Sequence, residues 1–154
     1  MDRKKNIFDK IGSLIPGYMG YAEREGRRNC DKILRNDIVF KLSEIEKILY
    51  EQMSKALKQN DNELLLSAED IRKEINTFFS KVKFAPQGAT AFFNDRKIKE
   101  NELYNIYKLD LDLAASVGIL LENVRALAFS EIKKKLITSR EILERRNLYI
   151  DKFK

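Results

Sequence analysis

An all-α fold, built as an elongated antiparallel bundle of three or four main helices after a short amphipathic helix, is what the sequence predicts. Aliphatic residues recur at alternating four- and three-residue spacings along most of the chain, as they do on a helix with one buried face. Only two prolines and six glycines interrupt 154 residues. Hydrophobic residues make up 44% and charged residues 35%, enough for one core and for solvated outer faces. No stretch alternates with the period of two that a half-buried strand requires, and there is no internal repeat.

Each element carries its own signal. Ile7, Phe8, Ile11, Leu14 and Ile15 form one face of a short helix, so residues 1–15 read as an amphipathic N-terminal segment and 16–154 as the bundle. Pro16-Gly17 ends that helix, because the residue before proline is pushed out of the α region. A long helix is expected from about Tyr21 to Lys58, with Ile38, Leu42, Ile45, Leu49 and Ala56 on one stripe. Gly26 is a mild weak point in it. Gln59-Asn60-Asp61-Asn62 is a turn, with Asp61 or Asn62 as the cap of the next helix.

That helix carries Leu64, Ala68, Ile71, Ile75, Phe78 and Val82, a heptad seam of nearly three repeats. It stops near Phe84, since Pro86-Gln87-Gly88 cannot continue it. Residues 85–98 form a loop whose Phe92-Phe93 pair is expected to fold back onto the bundle. From Lys99 the seam resumes through Leu103, Ile106, Asp110, Leu113, Val117, Leu120, Val124 and Leu127. Beyond Phe129 it shifts phase, to Ile132, Leu136, Leu143, Ile150 and Phe153. Thr138-Ser139 has lower helix propensity, so either one helix runs to the end or it bends there. Helices joined by short turns imply antiparallel neighbours.

Charge is unevenly distributed within a net +6. Residues 1–35 carry nine basic against five acidic side chains, residues 36–132 thirteen against sixteen, and residues 133–154 eight against three. Basic ends suit phosphates or anionic lipid as well as solvent. The single cysteine, Cys30, excludes an intramolecular disulfide and reads as a small packing residue. No secretory leader is recognisable, and no uncharged apolar run reaches the roughly 18 residues of a membrane span. A cytoplasmic location follows as the expectation, with the inner face of the membrane open to a peripheral protein.

Several kinds of chemistry are disfavoured. Histidine is absent, which removes the commonest general base and metal ligand. There is no glycine-rich phosphate loop and no nucleophile elbow. Glu23/Glu25, Glu44/Glu46 and Asp110/Asp112 are two residues apart, so on a helix each pair diverges. No catalytic, cofactor-binding or metal-ligating residue is assigned, and no cofactor or small-molecule substrate is implied.

Asp110 is the most informative single residue, because it interrupts an apolar seam. An unpaired buried carboxylate costs several kcal/mol. Either an arginine from another helix reaches it, with Arg24, Arg27, Arg28 and Arg35 the richest supply, or the seam widens and Asp110 faces water.

The head, Ile15-Pro16-Gly17-Tyr18-Met19-Gly20-Tyr21-Ala22-Glu23-Arg24-Glu25-Gly26-Arg27-Arg28, combines a defined turn, two tyrosines and three arginines, residue types enriched at binding hot spots. The alternative is that the turn docks the first helix, with the arginines in ion pairs. This stretch, followed by Asp31-Lys32-x-Leu34-Arg35, resembles the head of a family of small uncharacterised bacterial helical proteins, a likeness that implies no catalytic residue. Asn6-Ile7-Phe8-Asp9-Lys10-Ile11-Gly12 is similar to the membrane-touching start of phage-shock protein A-like proteins.

The expected function is therefore a non-enzymatic interaction or scaffold protein. Its contact residues would be Ile7, Phe8, Ile11, Leu14, Ile15, Tyr18, Tyr21, Arg24, Arg27 and Arg28, meeting a protein partner, a second copy or an anionic membrane. Nucleic-acid binding, permitted by a pI near 9.3, is one alternative, and a carboxylate-metal enzyme is another.

Overall fold

The computed structural model describes residues 3–83, 91–93 and 97–153, with side chains from Ile7 onward. Five α-helices occupy most of them: α1 Arg3–Leu14, α2 Arg27–Lys58, α3 Asn62–Lys83, α4 Glu100–Asn123 and α5 Phe129–Asp151. Short 3-10 turns cover Arg24–Gly26, Ala91–Phe93 and Val124–Ala126. No strand occurs among the described residues, so the fold is all-α. At 1.5 Å per residue α2 is about 48 Å long, which makes the bundle elongated. None of the helices is long and apolar enough to cross a membrane.

Each helix turns its seam inward. In α3, Ala68, Ile71, Ile75, Phe78 and Val82 are all buried. In α4 and α5 the same holds for Ile106, Leu113, Val117 and Leu120, and for Ile132, Leu136, Leu143 and Ile150. Helix α2 packs against α3 and α4, and α5 packs against α4 and α3. The α2–α3 and α4–α5 pairs are antiparallel hairpins, as the short turns require. Where the hairpins meet, neighbours run parallel: Lys133–Asp70, Arg140–Glu74 and Glu144–Lys81 ion pairs climb α3 and α5 together. Two basic residues of the C-terminal helix, Lys133 and Arg140, thus meet carboxylates of α3, and Lys81 of α3 meets Glu144 of α5 in return.

Two boundaries differ from expectation. The long helix begins at Arg27, because Gly20 and the 3-10 turn intervene after Tyr21. The last helical region breaks at 124–128, where Ala128 is extended (φ −64°, ψ 150°), and it does not bend at Ser139. The phase shift at Phe129 marks that break: a chain that reverses must bury a different face. Ser139 lies inside α5, buried, and shares a 2.8 Å hydrogen bond with Ser116 of α4. Asp61 does cap α3, its carboxylate accepting from the Leu64 N–H at 3.0 Å.

Helix α1 is not a detached segment. It packs on α4, and Ile11 and Ile15 are buried in the common core. The division at residue 15 is thus no division of the core. Phe92 and Phe93 are buried too, with Phe92 5.1 Å from the Tyr21 ring and 5.3 Å from Phe153. Phe84, Pro86-Gln87-Gly88 and most of the remaining loop lie outside the described residues.

Candidate functional site

Beneath the head turn, four stretches of chain converge on one polar centre. Tyr18 and Tyr21 come from the turn, Asp31 and Arg35 from the first turns of α2, Asp110 from α4, and Arg146 from the last turns of α5. The turn is set by two glycines in left-handed conformation, Gly17 (φ +88°) and Gly20 (φ +86°). They give the chain a backbone course that other residues rarely adopt, and Tyr18 and Tyr21 beside them are buried.

Asp110 is fully buried. One of its oxygens accepts from both Tyr18 OH and Tyr21 OH, each at 2.6 Å. Its other oxygen accepts from Arg146 Nε at 2.5 Å. Arg146, equally buried, donates through Nη2 to Tyr21 OH and to Asp31 Oδ1, both at 2.8 Å. Arg35 Nε sits 2.8 Å from the second Asp31 oxygen, an ion pair whose N–H is not aligned for a hydrogen bond. Two carboxylates thus face two guanidinium groups, and the centre is charge-balanced, the condition under which burial of ions is tolerated.

An aromatic shell encloses it. Tyr107 stacks on Tyr21 at 5.9 Å and accepts the Tyr21 N–H at 3.0 Å. Phe8 packs edge-on to Tyr107 at 5.6 Å. Arg27 clamps the loop side, donating to the carbonyls of Tyr21 and Phe92 at 2.9 and 3.1 Å.

Burial, and after it the Asp110 charge, raises the phenols of Tyr18 and Tyr21 well above their ordinary value. Burial likewise raises Tyr107 and pushes the Cys30 thiol up to about 11. For Arg146 burial alone would act downward, but Asp110, Tyr21 and Asp31 outweigh it and hold the guanidinium above its ordinary range. This gives a pH dependence of definite sign. The raised phenols and the thiol stay neutral in the fold and ionise at ordinary values once unfolded, so their contribution is complete below about pH 8, starts to fall near pH 9 for Cys30 and near pH 10 for the tyrosines, and goes on falling toward their raised folded values. The urea midpoint is expected to drop across that range. Tyr18 and Tyr21 should ionise only as helical circular dichroism is lost. Titration of all six tyrosines at an ordinary value with the helices intact would contradict this.

Comparison of the chain with protein-family models, curated proteins and solved structures gives no match. Residues 15–28 must accordingly be read from their own geometry.

That geometry corrects the expected contact surface. Ile11, Ile15, Tyr18, Tyr21 and Arg27 are buried within this chain, and Ile7 and Phe8 are half-buried against the same core. The apolar stripe of α1 finds α4, and the tyrosines find Asp110. Of the ten residues, Leu14, Arg24 and Arg28 remain exposed. Asp110 is buried and paired, but its arginine is Arg146 of α5. Arg35 joins the network only through Asp31, whereas Arg27 bonds to backbone.

Sequence reasoning missed Arg146, and a signal for it existed. Ile132, Leu136, Ser139, Leu143, Arg146, Ile150 and Phe153 keep the four-three spacing, so Arg146 interrupts the α5 seam as Asp110 interrupts that of α4. Asp31 and Arg27 likewise fall on the α2 stripe extended backward through Leu34.

Among the described residues, no three or more Cys, Asp or Glu side chains gather as a metal site would need. The buried centre binds its own members and ties α2, α4, α5 and the head into one body. Outside it, Met19 is 75% exposed although Tyr18 and Tyr21 on either side are 4% and 0% exposed. Arg28 lies across the Phe93 ring at 5.7 Å.

Proposed function

We propose that this protein is a non-enzymatic helical scaffold that presents its head turn to a partner protein. The observation that carries the reading is Met19: a large apolar side chain held in water on a turn whose flanking residues are locked. Because the backbone on both sides is already held, binding does not also have to order the turn, and methionine adapts to varied apolar surfaces. Leu14, 37% exposed, adds apolar surface on the neighbouring helix. Arg24 and Arg28 supply the polar rim typical of a recognition patch. A membrane reading is less favoured, because insertion of α1 would require Ile11 and Ile15 to leave the core.

A photo-crosslinking residue at position 19, in the otherwise native chain and in cells, tests this. One discrete protein adduct is expected, absent when the crosslinker sits at Leu66 on α3, an equally exposed position. Met19→Asp should abolish co-purification of the adducted protein with unchanged thermal stability. An adduct of twice the chain's mass would make the partner a second copy. No adduct at position 19, together with co-sedimentation on anionic vesicles, would replace this reading with the membrane one.

A further inference from the structure

In the head-side half of the bundle, the groove between α2 and α3 opens into a pocket of about 240 Å³. That is small for a drug-sized ligand and roomy for a compact ion. Lys32, Arg35, Asn36 and Val39 line it from α2, and Val82 and Lys83 from the end of α3. Spacings of three, four and seven residues put the α2 members on one face. Met19, Arg24 and Arg28 take no part in it, so a ligand here is separate from any partner at the head turn.

Three of the six lining residues are cationic and none is acidic. The neighbouring lysines of the same two helices are matched: Lys41 with Asp37 at 2.8 Å, and Lys81 with Glu144 at 3.1 Å. Lys32 and Lys83 have no carboxylate within ion-pair distance among the described residues. Lysines scattered over a convex surface are solvated singly. Two that share a concavity with a guanidinium repel each other, and the apolar walls focus their field on whatever enters.

The charge count points to a dianion. Arg35 Nε lies 2.8 Å from Asp31, and Asp31, Arg35, Arg146 and Asp110 already form the balanced centre described above. Lys32 and Lys83 therefore add two positive charges that no lining residue offsets. Asp31 holds Arg35 from one side, and the Phe79 ring holds Lys83, whose Nζ is 5.3 Å from the ring centre. Two of the three cations are thus partly positioned before any ligand arrives. The Asn36 carboxamide supplies a neutral donor.

We infer that this pocket binds a compact phosphate dianion, either the free ion or the phosphoryl end of a small soluble ester. Lys32 and Lys83 neutralise its two charges, Arg35 and Asn36 donate to its oxygens, and Val39 and Val82 receive the carbon of an ester.

Titration of the full chain with inorganic phosphate, glycerol 3-phosphate and sulfate at constant ionic strength, followed by calorimetry and amide NMR, tests the assignment. Saturable one-to-one binding of phosphate is expected, with shifts at residues 32–39 and 82–83. Its affinity should rise between about pH 6 and about pH 8, as phosphate loses its second proton, while that of sulfate, whose charge is fixed, stays flat. The tighter of phosphate and glycerol 3-phosphate identifies the free ion or a small ester as the source. Lys32→Gln and Lys83→Gln, both at exposed positions, should each weaken binding about tenfold with the urea midpoint unchanged. Lys135→Gln, exposed on α5, should leave binding intact. Shifts that spread over the surface without saturating, a phosphate affinity independent of pH, or binding that survives the loss of both lysines would overturn the inference.

Discussion

Arg146→Met is expected to destabilise the protein by about 3–5 kcal/mol, the cost of leaving a buried carboxylate without its cation. Methionine keeps most of the length of the side chain, so the loss is chiefly one of charge and hydrogen bonds. Asp110 would retain two phenols and no cation, and Asp31 would lose one of its guanidinium partners while keeping Arg35. Against a domain stability of about 5–15 kcal/mol, typical of small proteins, this is a large fraction. Urea denaturation should show the midpoint falling with little change in slope. Arg146→Lys should recover part of the loss, since an ammonium keeps the charge but cannot reach both carboxylates and Tyr21 as a planar fork does. Adding Asp110→Asn to Arg146→Met should cost less than the sum of the separate changes, because the two groups interact. A loss below about 1 kcal/mol in the single variant would mean that water reaches the centre and screens it.

Gly20→Ala is expected to cost about 2–5 kcal/mol, combining strain at a left-handed position with overpacking. A Cβ there would stand 2.6 Å from the Phe8 ring and 2.6 Å from the Tyr107 oxygen. Tyr107 would have to withdraw, and with it the acceptor of the Tyr21 N–H. Two other glycines provide controls. Gly17 has a similar φ, but its nearest neighbour is Ile33 Cδ1 at 3.7 Å, so Gly17→Ala should cost only about 1 kcal/mol of backbone strain. Gly26 has an ordinary φ of −91° and nothing within 4 Å. Gly26→Ala should be neutral or slightly stabilising, since it restricts the unfolded chain. Thermal unfolding of the three variants should rank them in that order. A Gly20→Ala protein as stable as Gly17→Ala would show that Phe8 and Tyr107 yield freely.

Much of the core was legible because burial leaves a period in the sequence. The heptad positions of α3 from Ala68 to Val82 and of α4 from Ile106 to Leu120 are inside, as is Val124 just past α4, and Asp61 caps where a turn cluster meets an apolar run. The candidate site was legible only in part. Tyr18 and Tyr21 look like outward anchors in the sequence because a phenol has an apolar body and a polar tip, and it serves equally at an interface or beneath one. Asp110 announced itself by interrupting a seam, but Arg146 lay in a basic run, Arg145-Arg146, where solvation is the ordinary reading. A seam position says that a side chain faces inward, not which helix it will meet.

By itself, then, the sequence determined the helical class and the inward faces, and it marked Asp110 as either paired with a cation or turned to water, since these follow from spacing and from the cost of burying a lone ion. Only the tertiary structure decided that Asp110 is buried and that Arg146 supplies its counter-charge, that α1 closes on α4, and that Met19 is the large apolar side chain of the head left in water. Those choices depend on contacts between residues up to 125 positions apart. They are settled by which helices become neighbours, and no local pattern encodes that.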